Sequence, residues 1–310
     1  MNRIIEIQND GYYLSAARGF MVIEKKGETN ARKIPLTDIG VLILSGVGCG
    51  LSTNLVMRLV EAGAGIVLCG ANYHPAALIL PVEGHHEQTG RIRQQIGASL
   101  PLRKRLWQTI VQSKIRHQAE ILSRWAGRDE GLMELARRVG SGDSDNKEAQ
   151  AARRYWPVLF GPTFRRNSKA GGTNALLNYG YAIIRAQMAR SVAACGLHPA
   201  LGIHHRNDAN PFCLVDDLME PFRPLVDHCV REIVEVRKEP PAELTPDIKR
   251  ELADVLGLLL KGKRDIAVAP THILRLCQSL VQSFAAKKES LVFPASILPV
   301  VSGGNDADDS

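Results

Sequence analysis

PVEGHHEQTGRIRQQIGASLPLRKRLWQTI, Pro81–Ile110, is the stretch where the hydrophobic period of this chain changes. Its first nine residues are polar and carry Pro81 and Gly84, as a connection does. From Arg91 onward Ile92, Ile96, Leu102, Leu106 and Ile110 fall on one helical stripe with arginines and lysines between them. Pro101 lies inside that stripe and is expected to break or kink it. Apolar residues come in short runs before this stretch and at helical spacing after it. The break predicts an α+β chain: a small β-rich domain over 1–83, a linker over 84–90, a larger all-helical domain over 91–304 and an acidic, disordered tail over 305–310. His85 and His86 fall in the linker, where exposed histidines are the plainer reading than metal ligands.

Toward the N-terminus, Arg3–Gln8, Tyr12–Leu14, Phe20–Glu24 and Gly40–Leu44 read as strands. Gly11, Gly19 and Gly27 punctuate them as turns. Thr53–Ala62 has helical spacing at Leu55, Leu59 and Val60 and stops at Gly63; Ile66–Cys69 and Ala76–Leu80 return to strand. The cluster GVGCG, Gly46–Gly50, follows a strand and precedes a helix, as a dinucleotide fingerprint does. The third glycine of that fingerprint would fall on Leu51, so tight turns are the better account.

Toward the C-terminus, the stripe continues through Ile115, Ile121, Leu122 and Trp125. A loop at Val139–Asp145 leads to a helix over Asn146–Trp156 with Glu148 in its first turn, where a carboxylate favours the helix dipole. Pro162–Gly172 is a basic loop. Helices are expected over Thr173–Cys195, over the segment from Asp217 to Val236, and over Pro246–Lys261 and Thr271–Lys287. Net charge is +7, and the positive charge concentrates in Arg91–Arg116 and Arg153–Lys169, which points to a polyanionic partner. The six cysteines form no CxxC pair and read as reduced, buried thiols of a cytosolic protein. No apolar run approaches the ~20 residues of a membrane span, and MNRIIEIQNDGYY lacks the apolar region of a secretory signal.

PALGIHHRNDANPFCLVDDLMEPFRP, Pro199–Pro224, sets His204 and His205 on a polar loop ahead of Asp216, Asp217 and Glu220. Two readings are open. Asp217 and Glu220, three apart on one helix face, with a loop histidine, make half of a divalent-metal site. Alternatively Asp217 is an N-cap, Glu220 closes a capping box, and Pro221 sits in the first turn.

Taken together, these segments resemble the CRISPR-associated integrase family, the larger subunit of the spacer-acquisition complex. The resemblance rests on ILSGVGCGLSTNLVMRLVEAGAGIVLCG (43–70), NKEAQAARRYWPVLFG (146–161), LNYGYAIIRAQMARSVAACGLHPALGIHH (177–205) and DLMEPFRPLVD (217–227). GIHHRN with DLMEPFRP is most similar to the branch from systems with a single large effector nuclease. The resemblance implies a β-sandwich-like N-terminal domain that dimerises and a helical catalytic domain. It implies Mg²⁺ or Mn²⁺ held by Glu148, His205 and Glu220 as catalytic ligands, His205 standing three after Gly202, with Asp217 a weaker candidate. Glu220 departs conservatively from the aspartate found in some members. The implied reaction is transesterification, in which a DNA 3′-hydroxyl attacks a repeat phosphodiester, with endonuclease activity alongside.

The implied partners are double-stranded DNA (prespacer and repeat), a second copy of the chain, and a small second subunit in a four-plus-two assembly. Membranes are not among them, and the cytoplasm is the expected location. Arg103, Lys104, Arg105, Arg153, Arg154, Arg165, Arg166 and Lys169 are then the expected phosphate contacts. Tyr155, Trp156, Tyr179 and Tyr181 are expected mostly in the core, with one of them free to stack on a base. A generic metal-dependent phosphodiesterase has the same site with water as nucleophile, and a non-catalytic DNA-binding scaffold has the same residues in structural roles.

Overall fold

The computed structural model describes residues 3–7, 10–28, 30–46, 48–69, 75–79, 87–239, 241 and 243–300. Strands β1 (Arg3–Ile7), β2 (Tyr12–Ala17), β3 (Phe20–Lys25), β4 (Arg32–Pro35), β5 (Ile39–Leu44) and β6 (Gly50–Leu51) precede helix α1 (Thr53–Glu61). Strands β7 (Gly65–Cys69) and β8 (Pro75–Ile79) follow it. They form two four-stranded sheets, ordered β4-β3-β2-β6 and β1-β5-β7-β8. The expected turns are present: Arg18 and Gly19 both have positive φ and close the β2–β3 hairpin in two residues, and Gly11 and Gly27 also have positive φ. Gly63 does too, just past the end of α1.

Both sheets and α1 contribute to one core: Leu14, Met21 and Ile23 from one sheet, Ile7, Leu42, Leu44 and Ile66 from the other, and Leu55 and Leu59 from the helix. This is the sandwich-like layering that the N-terminal region was expected to have. The second sheet is covered on its other face as well. Val41, Ile43 and Val67 point away from the sandwich and into the core of the helical part. All six residues of β5, IGVLIL, are therefore buried, and the strand is a continuous apolar run because neither face meets water.

The helical part comprises α2 (Gln88–Ile96), α3 (Leu100–Ala126), α4 (Leu132–Arg137), α5 (Lys147–Phe160), α6 (Thr173–Ala194), α7 (Cys213–Met219), α8 (Arg223–Arg237) and α9 (Pro246–Ala253). It continues through a hairpin of β9 (Leu259–Lys261) and β10 (Ile266–Val268) to α10 (Ala269–Ala286). Four expectations change. The 84–90 linker overlaps α2 at Gln88–Gly90, while His85, His86 and the 305–310 tail lie outside the described residues. Pro101 does not break α3; it occupies the first turn, after Ser99, whose hydroxyl accepts from Leu102 N at 3.4 Å. The helix expected over Pro246–Lys261 ends at Ala253, and its last residues pair antiparallel in the hairpin. The helix expected to start at Asp217 starts at Cys213.

Helix α3 is the centre of this part. Leu102, Leu106, Trp107, Ile110, Val111, Ile115, Ile121 and Leu122 are buried on it, a wider arc than one stripe, because α4, α5, α7 and α8 all pack against it. None of the six cysteines is in a disulfide, and four of them, Cys195, Cys213, Cys229 and Cys277, are buried. Among the described residues no helix is long and apolar enough to cross a membrane.

Candidate active site

Each acidic candidate is delivered by its own local structure. Glu148 stands in the first turn of α5. Asn146 adopts φ 53° as N-cap and accepts from Ala149 N at 3.2 Å. The Asp143 carboxylate accepts from Lys147 N at 2.8 Å and Glu148 N at 3.1 Å, so the orphan N–H groups of that turn are satisfied and the start of the helix is fixed. Glu220 opens a short 3-10 turn, Glu220–Phe222, between α7 and α8.

The structure brings the two together on a lysine. Lys114, from the middle of α3, donates from Nζ to Glu148 Oε1 and to Glu220 Oε2, each at 2.5 Å. Arg223 donates from Nε to Glu220 Oε1 at 2.8 Å, and its guanidinium rests 4.6 Å over the Tyr181 ring. The side chains of Lys114 and Glu220 are only 14% and 9% exposed, so these charges interact with little solvent screening. Burial alone would raise the Glu220 pKa; Arg223, then Lys114, outweigh it and hold the carboxyl down at about 2. Burial likewise pushes Lys114 down, and Glu220 and Glu148 reverse that and raise it.

His205 arrives on the loop between α6 and α7. Asp217, fully buried on α7, anchors that loop. Its Oδ2 accepts from Ile203 N at 2.6 Å and His204 N at 2.9 Å, and its Oδ1 accepts from His205 N at 3.2 Å and meets His205 Nδ1 at 2.6 Å. An acceptor-only carboxylate places the proton on Nδ1 and leaves Nε2 as the free nitrogen. Asp217 is thus neither the N-cap nor a free ligand. Both its oxygens are engaged in holding the loop and orienting the imidazole, the partner a metal-binding histidine commonly has. The hydrogen bond to Asp217, and then the charges of Asp217, Glu220 and Glu148, raise the His205 pKa.

Two further residues shape the loop. Trp107 of α3 stacks on His204, centroids 4.2 Å apart and planes 4° from parallel, and meets His205 edge-on at 5.7 Å. A Cβ on Gly202 would clash with the His205 carbonyl oxygen and lie 3.0 Å from Asp217 Oδ2, so only glycine lets the loop wrap the carboxylate.

Beneath the acids, Asp227 of α8 is buried between two tyrosines. Tyr155 of α5 donates to it at 3.0 Å, and Tyr181 of α6 donates to its other oxygen. Burial, set against those two donors, pushes the Asp227 carboxyl up to about 7. Tyr155, Tyr179 and Tyr181 are all buried, as core packing requires, and Trp156 is half-buried against Phe160 and Phe164.

The basic tracts divide. Lys104, Arg105, Arg153, Arg154, Arg165 and Lys169 are exposed. Arg103 lines the cleft that also holds His205, Arg206 and Asn207, and its Nε is buried without a hydrogen-bond partner. Arg166 is spent on structure: it donates to Asn174 Oδ1 at 2.9 Å and Asn178 Oδ1 at 2.6 Å. Sequence reasoning did not single out Lys114, Arg223, Asp143, Trp107 or Asp227. In the sequence Lys114 is one more cation in a basic helix, and its partners stand 34 and 106 residues away.

The donor set is one to which a divalent cation is suited: two carboxylates already sharing one positive charge, and an imidazole with an oriented free nitrogen. Among the described residues no three His, Cys, Asp or Glu side chains converge closely enough to hold an ion as they stand, since Lys114 lies between the two glutamates.

The sequence matches the family model described as CRISPR associated protein Cas1 over residues 5–247. It is 41% identical over 301 residues to the CRISPR-associated endonuclease Cas1 of Neisseria meningitidis serogroup C (strain 8013), covering 96% of this chain and 97% of that one. Its fold is similar to that of a casposase bound to integration product, with TM-score 0.79 and 18% identity, covering 97% and 96% of the two chains. It is also similar to a chain of a Cas6-RT-Cas1–Cas2 complex, with TM-score 0.75 and 18% identity, covering 96% of this chain and 36% of that one.

Proposed function

The chain belongs to the CRISPR associated protein Cas1 family, and on that premise we propose that it is a DNA integrase of CRISPR adaptation with associated endonuclease activity, its centre built from Glu148, His205 and Glu220. The observation that carries the reading is the convergence of Glu148 and Glu220, 72 residues apart in sequence, on one ammonium beside an imidazole whose Nδ1 is engaged by Asp217.

Glu148, Glu220 and His205 Nε2 would hold Mg²⁺ or Mn²⁺, which would supply Lewis-acid chemistry at a phosphoryl oxygen and favour the deprotonated nucleophile. Asp217 keeps the proton on His205 Nδ1, so Nε2 stays available. Arg223 fixes the orientation of Glu220. In the reaction the 3′-hydroxyl oxygen of captured DNA bonds to a repeat phosphorus, and the bond from that phosphorus to the repeat 3′-oxygen breaks. The attacking hydroxyl gives up its proton, and the departing oxygen takes one. One phosphodiester replaces another, so the step is close to isoenergetic and reversible; with water as nucleophile the same centre cleaves DNA.

The exposed Lys104, Arg105, Arg153, Arg154, Arg165 and Lys169, with Arg103 in the His205 cleft, contact phosphates of prespacer and repeat. The chain forms a homodimer through its strand-rich part, where Tyr13, Phe20 and Met57 are exposed apolar side chains, and two dimers flank a dimer of a small second subunit. It works in the cytoplasm, where the DNA it joins is found.

The test uses a labelled branched duplex with Mn²⁺, and EDTA and His205→Ala as controls. A longer, rejoined strand absent from both controls is the expected result. Shortened strands alone would move the assignment to a phosphodiesterase. Tight binding without any product, even with the second subunit added, would move it to a scaffold.

A further inference from the structure

Lys114 is a cation shared by both glutamates, whereas Arg223 serves Glu220 alone, and a divalent ion needs the oxygens that Lys114 engages. We propose that Lys114 is a resident counter-cation of the centre: it holds Glu148 and Glu220 together in the metal-free protein and is displaced from them when the ion enters. The inference rests on the reading of Glu148, His205 and Glu220 as metal ligands.

Three observations carry it. First, the ammonium sits 2.5 Å from one oxygen of each glutamate, so it occupies the space between the two carboxylates. Second, Lys114 and Glu220 are largely buried, so without the shared ammonium the two adjacent carboxylates would repel, Arg223 offsetting the charge of Glu220 alone. Third, the two cations at Glu220 are held differently. Arg223 is three residues from Glu220 and pinned over the Tyr181 ring at 4.6 Å, whereas Lys114 reaches across from α3 on a flexible stem and ends in a compact, readily hydrated charge. Lys114 is therefore the one free to leave. Metal binding becomes an exchange of one cation for another, and the affinity for the ion is lower than the donor set alone would give.

The exchange is read without any DNA. Mn²⁺ binding to the full chain is measured from the loss of the free-ion EPR signal, together with the melting temperature in EDTA and in Mn²⁺. Lys114→Met removes the charge and keeps the shape. The expected result is a lower melting temperature in EDTA, Mn²⁺ affinity about tenfold or more above the unsubstituted protein, and a larger rise in melting temperature on adding Mn²⁺. Equal or weaker binding by Lys114→Met would overturn the proposal and make the lysine a support of the metal site.

A second measurement needs no charge-removing variant. In protein labelled with ¹⁵N at lysine Nζ, the Lys114 resonance, assigned by its absence from Lys114→Arg, shifts in step with Mg²⁺ occupancy. A resonance unmoved at saturation would sink the idea. The underlying reading is checked separately: His205→Ala and Glu148→Gln weaken Mn²⁺ binding with Lys114 in place. If neither does, the metal site itself is wrongly assigned and the proposal falls with it.

Discussion

At the scale of single residues, Asp227 shows how burial and hydrogen bonding compete. Two phenols donate to it, which favours the carboxylate, yet burial dominates and its pKa rises from 3.8 to about 7. A group whose folded pKa lies above its unfolded value binds more protons in the folded state between the two. Its contribution to stability is complete below about pH 4 and is lost as pH rises to about 7. Asp227→Asn carries no such charge. Its melting temperature is expected to gain on the parent's steadily from pH 5 to pH 8, the difference growing by an amount equivalent to about 2–3 kcal/mol. The raised pKa of His205 acts in the same direction but is common to both proteins, so it cancels in the difference. Parallel melting curves across this pH range would show that Asp227 is ionised throughout.

At the scale of elements, the loop between α6 and α7 is held by one carboxylate through three backbone N–H groups and a ring nitrogen. Gly202→Ala pushes a methyl into the His205 carbonyl and toward Asp217 and the Cys213 side chain at the start of α7, so the imidazole is displaced. A shift of about 1 Å at a reacting group costs on the order of 10²-fold in rate. Strand transfer by Gly202→Ala is expected to fall by roughly that factor with the far-ultraviolet circular dichroism unchanged; transfer at the parental rate would count against the loop geometry.

These elements also show what was legible in the sequence and what was not. The strands between Gly11, Gly19 and Gly27 were readable because positive φ leaves a residue-type signature. Asp217 misled because an acid ahead of an apolar run looks the same whether it caps its own helix or the backbone behind it. The β9–β10 hairpin was hidden because Leu258, Leu259 and Leu260 continue a helical pattern, and only tertiary pairing tells them apart. The three proposed ligands were reached through resemblance. Lys114 and Arg223, which set their charge balance, were not, since a buried cation is defined by partners that the linear order does not reveal.

At the scale of the whole molecule, a net charge of +7 and the exposed cations of α3 and α5 make DNA affinity an electrostatic quantity. The double variant Arg105→Ala, Arg153→Ala is expected to weaken duplex binding alike for unrelated sequences. The plot of log affinity against log salt should lose about 1–2 units of slope, near 0.9 for each phosphate contact removed. An unchanged slope would place the DNA path on another face.

The sheet β1-β5-β7-β8 belongs to both cores at once, Leu42 and Leu44 on one side, Val41, Ile43 and Val67 on the other. The change from strands to helices is therefore a change along the chain and not a division of the solid. A strand-rich part transplanted onto another catalytic body would carry a naked aliphatic face, and a helical part left behind would lose a wall of its interior. Exchange of either region alone therefore leaves an unmatched aliphatic surface at that sheet, and the two architectures share one interior wall.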